Sequence, residues 1–268
     1  MFHRMEAALV ADRSLAALDP SDREASELWC AYDLAAVVES CFGRQTFPLG
    51  EASEPWLDRL GGTYLPPLPE VMADTRRLFL LDRGIRVGTL ALPIGGLPGA
   101  PIVVSCLYLR PESRGRGLVS AALTALQASA VHEGHPGIQL DTHWVWQAAV
   151  RFYLRRRMWV TGWERHLSFA WVAGRGPWEL HQRGDTLRLS VAGHPVAEAR
   201  RDGDQLTRFH ADEAVAGGTL ALLMALRGWP LVREGGPHPD EKASPERLHH
   251  EIESAELRAR ELGWVFPR

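Results

Sequence analysis

Between Ile102 and Leu123 the chain reads IVVSCLYLRPESRGRGLVSAAL: an apolar run, a turn with two glycines and several arginines, then alanines and leucines at helical spacing. No other stretch constrains the fold as much. The run Ile102 to Leu109 predicts a strand too apolar to have a wet face, and such a strand belongs at the centre of a sheet. Pro111 and the Gly-rich turn follow directly. The helix predicted from about Gly117 to His132 stops at the following Glu-Gly-His-Pro-Gly. A strand that passes through Arg-Gly-Arg-Gly into a helix offers the free N–H groups of the first turn and the positive end of the helix dipole to whatever sits there. A phosphate or pyrophosphate suits that place, because glycine lets an anion approach the backbone and Arg114 and Arg116 add charge. Taken alone, the turn serves equally as an anion cradle or as a bland basic entry to a helix. A Rossmann fingerprint would want glycine where Ser120 stands, and a P-loop would want Gly-Lys-Ser/Thr.

The flanking sequence supplies a sheet. Arg77-LFLLD and Arg86-VGTLALPI, separated by Arg83-Gly84, predict a hairpin before the central strand. Gly137-IQLDT predicts a strand after the first helix, Gln147 to Arg157 a second helix, and Trp159-VTGW and Leu167-SFAWV further strands. Upstream, Glu24 to Cys41 carries Leu28, Ala31, Leu34, Ala35 and Val38 on one helical face. Beyond a boundary near Gly174 the texture changes to WELHQ, TLRLSV, VAEARR and LTRFH, punctuated by RGD, AGHP and DGDQ, which predicts a small antiparallel meander. Helices are expected at Ala211 to Arg227 and Pro245 to Leu262, the latter opened by Ser244-Pro245 and closed at Gly263. The expectation is a mixed α/β domain over residues 1–174 and an accessory α+β unit over 175–268.

Composition narrows the function classes. The 268 residues are 46% hydrophobic and 24% charged with a net charge of −3, so nothing favours a nucleic-acid surface. No run of about 20 apolar residues predicts a membrane span. Cys30, Cys41 and Cys106 are widely spaced in a chain that does not open like a signal peptide, which fits reduced thiols and a cytoplasmic location. His238, His249 and His250 lack the spacing of a zinc site, so no metal is expected.

The turn acquires a second element downstream, where the helix after the Gly137–Thr142 strand reads A149-V-R-F-Y153-L-R-R-R-M-W. Together, LYLRPESRGRGL and this helix resemble the GNAT superfamily of acyl-CoA-dependent N-acyltransferases, over roughly residues 24–172. The resemblance implies a mixed, mostly antiparallel sheet with splayed central parallel strands flanked by helices. It implies acetyl-CoA as cofactor, with Leu107, Tyr108 and Leu109 along the pantetheine arm and acetyl group. Arg114, Gly115, Arg116, Gly117, Leu118, Val119 and Ser120 would form the pyrophosphate loop. Ala149, Phe152 and Tyr153 match the family's following helix, so Tyr153 is similar to the tyrosine that in many members protonates the leaving thiolate. The sequence departs from the family at Val119, where Gly or Ala is usual, at Trp146, where Asn is usual, and at Arg157-Met158, where Gly-Phe is usual.

On that resemblance the reaction is direct attack of an amine on a thioester, with a small-molecule primary amine as acceptor and the C-terminal unit covering or shaping its site. A protein amino group, a charged tRNA or a non-catalytic acyl-CoA sensor are the alternatives, and a homodimer is left open. The substrate ammonium, whose free pKa is about 10, must lose a proton before attack. Asp141 and His143 are the nearest titratable groups, though a carboxylate there serves equally as a helix cap. Trp144, Trp146, Trp56 and Tyr64 could wall an acceptor pocket or simply pack. Cys106 reads as a small core residue rather than a nucleophile.

Overall fold

The computed structural model describes residues 13–26, 28, 29, 32, 75–94, 99–142, 147–162 and 167–230. They group into two compact units, one holding the described residues up to Ile138 and the other those from Gln139 to Pro230.

The first unit is built on four antiparallel strands in chain order: β1 (Arg13–Ala17), β2 (Thr75–Asp82), β3 (Ile85–Pro93) and β4 (Ile102–Leu109). The β2–β3 hairpin is the one expected from Arg83-Gly84. Both residues are left-handed, with φ of 53° and 78°, as a two-residue turn between twisted strands requires. Leu78, Phe79, Leu80, Leu90, Ala91 and Leu92 are all buried, so β2 and β3 lack the alternation of a half-wet sheet. Residues 23–26, 28, 29 and 32 are helical, in keeping with the amphipathic stretch read there. The Trp29 indole donates to the Leu78 carbonyl and the Tyr32 hydroxyl to the Arg86 carbonyl, each at 3.2 Å, so both buried rings find a polar partner in the sheet.

Strand β1 has no counterpart in the sequence reading. It pairs with β2 from Arg13 opposite Asp82 to Ala17 opposite Leu78 and forms the edge of the sheet. Strand β4 lies where expected but corrects one feature: Val103 is 44% exposed and Ser105, Cys106 and Leu107 are half-buried, so the strand does have an accessible face. Helix α1 (Leu118–Glu133) follows and turns Leu118, Ala122, Leu123, Ala125, Leu126 and Ala130 inward. It ends at left-handed Gly134, with the His135 N–H reaching back to the Ala130 carbonyl at 2.8 Å, the closing pattern that the Gly-His-Pro-Gly signal announced.

The division between units falls within β5 (Gly137–Thr142). The second unit continues with helix α2 (Gln147–Arg155), β6 (Trp159–Gly162) and β7 (Leu167–Val172), β7 lying between β5 and β6. The expected meander follows as β8 (Trp178–Arg183), β9 (Thr186–Val191), β10 (His194–Asp202) and β11 (Gln205–Ala211). Leu187, Leu189, Ala197 and Ala199 form its dry face, while Arg188 and Glu198 pair at 2.6 Å on the wet one. Helix α3 (Ala214–Ala225) packs against both the meander and β6. The buried Thr219 hydroxyl donates to the Val215 carbonyl at 2.7 Å and accepts the Val160 N–H at 2.9 Å, joining the helix to β6 through two satisfied bonds. The helix expected from Pro245 to Leu262 lies outside the described residues.

Candidate functional site

The features singled out in the sequence occupy both units. In the first, β3 and β4 run in register at Gly88 opposite Leu109 and Thr89 opposite Tyr108, and then at Ala91 opposite Ser105. Two residues of β4, Cys106 and Leu107, therefore stand against one of β3, which defines a β-bulge. Cys106 adopts a φ of 51°, rare outside glycine, asparagine and aspartate. The reading of Cys106 as a core residue is corrected here: it is half-buried, and its backbone sets the bulge. The Thr89 hydroxyl donates to the Cys106 carbonyl at 3.0 Å. In a trans peptide the carbonyl of one residue and the N–H of the next point opposite ways, so this bond directs the Leu107 N–H away from Thr89. A bulge commonly re-aims backbone groups next to active sites.

Strand β4 then enters the turn. Pro111–Ser113 forms one 3₁₀ turn, Gly115 and Gly117 are left-handed at φ of 76° and 79°, and α1 begins at Leu118. Gly115, Arg116 and Gly117 are exposed, Leu118 is buried, and Val119 and Ser120 are half-buried. Gly117 is the N-cap and supplies no side-chain acceptor, and the first turn of α1 carries no acidic residue. The first intrahelical bond runs from Ala121 N–H to the Gly117 carbonyl. The earlier N–H groups of the helix start thus face outward without a capping side chain, beside a backbone that lacks Cβ at residues 115 and 117. That arrangement fits an anion.

The two arginines of the turn are held. Arg114 folds back on its strand, its Nε donating to the Leu109 carbonyl at 2.7 Å and its guanidinium lying 5.5 Å from the Tyr108 ring centre. Arg116 pairs with the nearly buried Asp82 at 2.7 Å. Sequence reasoning missed two partners of this turn, Asp82 and Arg13. Arg13 donates from Nη2 to the Arg116 carbonyl at 2.7 Å, across 103 positions of chain. No local motif could have announced a contact made only by strand pairing.

In the second unit, Tyr153 lies on α2, 6% exposed, with its ring 5.4 Å from Phe152 and 5.2 Å from Phe169. Burial pushes its phenol well above the usual tyrosine range, so Oη holds its proton more tightly than an exposed tyrosine does. Ala149 is half-buried one turn earlier on the same helix, and Asp141 is exposed on β5. His143, Trp144, Trp146, Trp56, Tyr64, His238, His249 and His250 lie outside the described residues. Among the described residues, no cluster of His, Cys, Asp or Glu could hold a metal ion, and no helix is long and apolar enough to cross a membrane.

No protein-family model matches the chain, and no curated protein matches its sequence. Solved structures with a similar chain course do exist. RimL, a ribosomal L7/L12 α-N-protein acetyltransferase, is 15% identical with a TM-score of 0.43, over 61% of this chain and 92% of its own. The PaiA N-acetyltransferase of Thermoplasma acidophilum, in complex with coenzyme A, is 14% identical with a TM-score of 0.42, over 60% and 99%. An acetyltransferase from Streptococcus agalactiae is 12% identical with a TM-score of 0.38, over 60% and 98%.

Proposed function

We propose that the chain is an acetyl-CoA-dependent N-acetyltransferase of the GNAT type, acting on a primary amine. One observation carries the reading: a strand with a bulge at Cys106–Leu107 runs directly into a double-glycine turn and an uncapped helix start. Bulge and turn ask for different parts of one ligand. The turn suits a diphosphate, for which the backbone of Gly115 to Ser120 supplies donors. The bulge suits a carbonyl that becomes negative during reaction, because the Leu107 N–H is directed away from Thr89.

Bound acetyl-CoA would supply a thioester carbonyl open to amine attack. Leu107 to Leu109 would lie along its pantetheine arm. Tyr153 Oη would hold the proton that the leaving sulfur takes up. The burial that raises its pKa makes the phenol a reluctant acid, yet a thiolate that is itself buried gains proton affinity by the same physics. The acceptor is read as a small molecule, since a net charge of −3 gives no general surface for the phosphates of a tRNA.

Calorimetric titration with acetyl-CoA tests the reading. Binding in the micromolar range, followed by acetyl transfer to one member of a panel of small amines and N-terminal peptides, is the expected result. Absence of binding at high micromolar acetyl-CoA would end it, and transfer to peptides alone would replace the small-molecule acceptor with a protein amino group.

A further inference from the structure

We infer that Arg13 is a positioning residue for the glycine turn, fixing the Arg116–Gly117 peptide plane from the edge strand β1 before any ligand arrives. The inference rests on the reading of that turn as a coenzyme A diphosphate cradle.

Three observations converge at one rung of the β1–β2 ladder. Arg13 stands opposite Asp82 in the register. Its Nη2 donates to the Arg116 carbonyl at 2.7 Å, while Asp82 takes the Arg116 guanidinium at 2.7 Å. Arg116 is therefore held by its backbone and by its side chain from two residues that are neighbours across two strands. The Arg13 Nη1 also lies 3.5 Å from where a Cβ on Gly117 would stand, so the guanidinium runs alongside the second glycine of the turn.

The consequence for the turn follows from peptide geometry. Every described peptide bond is trans. With the Arg116 carbonyl tied to Arg13, the Gly117 N–H must point to the opposite side, away from β1. Glycine has more backbone freedom to lose than any other residue, and this turn has two within three positions. Without the tether, ordering them would be charged against ligand binding; with it, much of that ordering is already done when the protein folds. Arg13 therefore acts through the Arg116–Gly117 peptide rather than by touching the ligand.

The test uses the full chain with Arg13→Ala and Arg13→Lys. Hydrogen exchange at Ala121, whose N–H bonds to the Gly117 carbonyl and so reports the order of the turn, is measured without ligand, and calorimetry measures coenzyme A and 3′-dephospho-coenzyme A. Arg13→Ala is expected to speed exchange at Ala121 and to weaken both ligands equally, by about tenfold, as when the backbone of about one residue must be ordered on binding instead of on folding. Arg13→Lys, which keeps a donor of similar reach, should recover most of both effects and also serves if the alanine variant folds poorly. Unchanged exchange at Ala121 would overturn the inference. So would a penalty confined to coenzyme A, which would make Arg13 a direct ligand of the 3′-phosphate. If the wild-type chain binds neither ligand, the coenzyme reading falls while the exchange measurement still decides whether Arg13 positions the turn.

Discussion

Gly88 of β3 lies directly beneath the carbonyl of Tyr108 in β4: a Cβ at position 88 would overlap that oxygen and crowd Leu109 as well. Its φ is not left-handed, so glycine is required by the close approach of two strands and not by backbone conformation. Tyr108 and Leu109 are the last residues before the turn, and the Leu109 carbonyl accepts the Arg114 side chain. Gly88→Ala should therefore cost about 1–3 kcal/mol by overpacking, read by chemical or thermal unfolding. The displaced strand end should also weaken acetyl-CoA binding. A variant of wild-type stability would mean that the strands can separate freely at this point.

Tyr153→Phe keeps the aromatic packing against Phe152 and Phe169 and removes only the hydroxyl. If Oη protonates the leaving sulfur, turnover should fall by about 100-fold or more, within the usual range for a general acid. Affinity for acetyl-CoA should stay within a factor of about two, since the hydroxyl contributes to the chemical step alone. Steady-state rates and calorimetry on the same preparation separate the two effects. An unchanged rate would remove Tyr153 from the chemistry.

The same buried phenol makes an alkaline prediction. Burial raises its folded pKa above the unfolded value of about 10. A group with a raised folded pKa contributes stability that is complete below the unfolded pKa and is lost as pH climbs towards the folded one. Unfolding the wild type and Tyr153→Phe in parallel between pH 8 and 11.5 should give a constant difference up to roughly pH 10. Above that the wild type should lose ground, with a limiting slope of about 1.4 kcal/mol per pH unit. Parallel curves throughout would place the phenol in contact with solvent.

What could be read from the sequence follows a physical division. Local signals were legible: Arg83-Gly84 gave its hairpin, the glycines of RGRG marked the turn between strand and helix, and RGD, AGHP and DGDQ separated the strands of the meander. Each of these is decided by residues within a few positions of one another. The β4 bulge was not legible, because Cys106 has no special preference for positive φ and the extra residue arises only from the register against β3. Strand β1 was not legible either, since Arg-Ser-Leu-Ala-Ala has neither alternation nor β-branched residues, and pairing with β2 decides its conformation. Arg13 and Asp82 escaped for the same reason.

Arg157 shows a departure in sequence that the backbone does not follow. Glycine is the common residue at this point of the resembling family, and Arg157 nevertheless takes a glycine-like φ of 58°. The Arg157 N–H bonds to the Leu154 carbonyl at 2.9 Å and the Met158 N–H to the Tyr153 carbonyl at 3.1 Å, which together close α2 with the motif that glycine usually serves. A side chain in this conformation costs about 1–2 kcal/mol. The Arg157 guanidinium lies 4.7 Å from the Trp178 ring centre, and the Trp178 indole donates to the Met158 carbonyl at 3.1 Å. Stacking of a cation on tryptophan is worth about 0.5–2 kcal/mol, enough to offset the strain. Arg157→Gly should thus be nearly neutral, within about 0.5 kcal/mol, since it loses the stacking and the strain together. Arg157→Ala keeps the strain and loses the stacking, so it should cost about 1 kcal/mol by thermal unfolding. If glycine proved as costly as alanine, stacking alone would govern this position; if alanine proved neutral, Trp178 would gain nothing from the arginine.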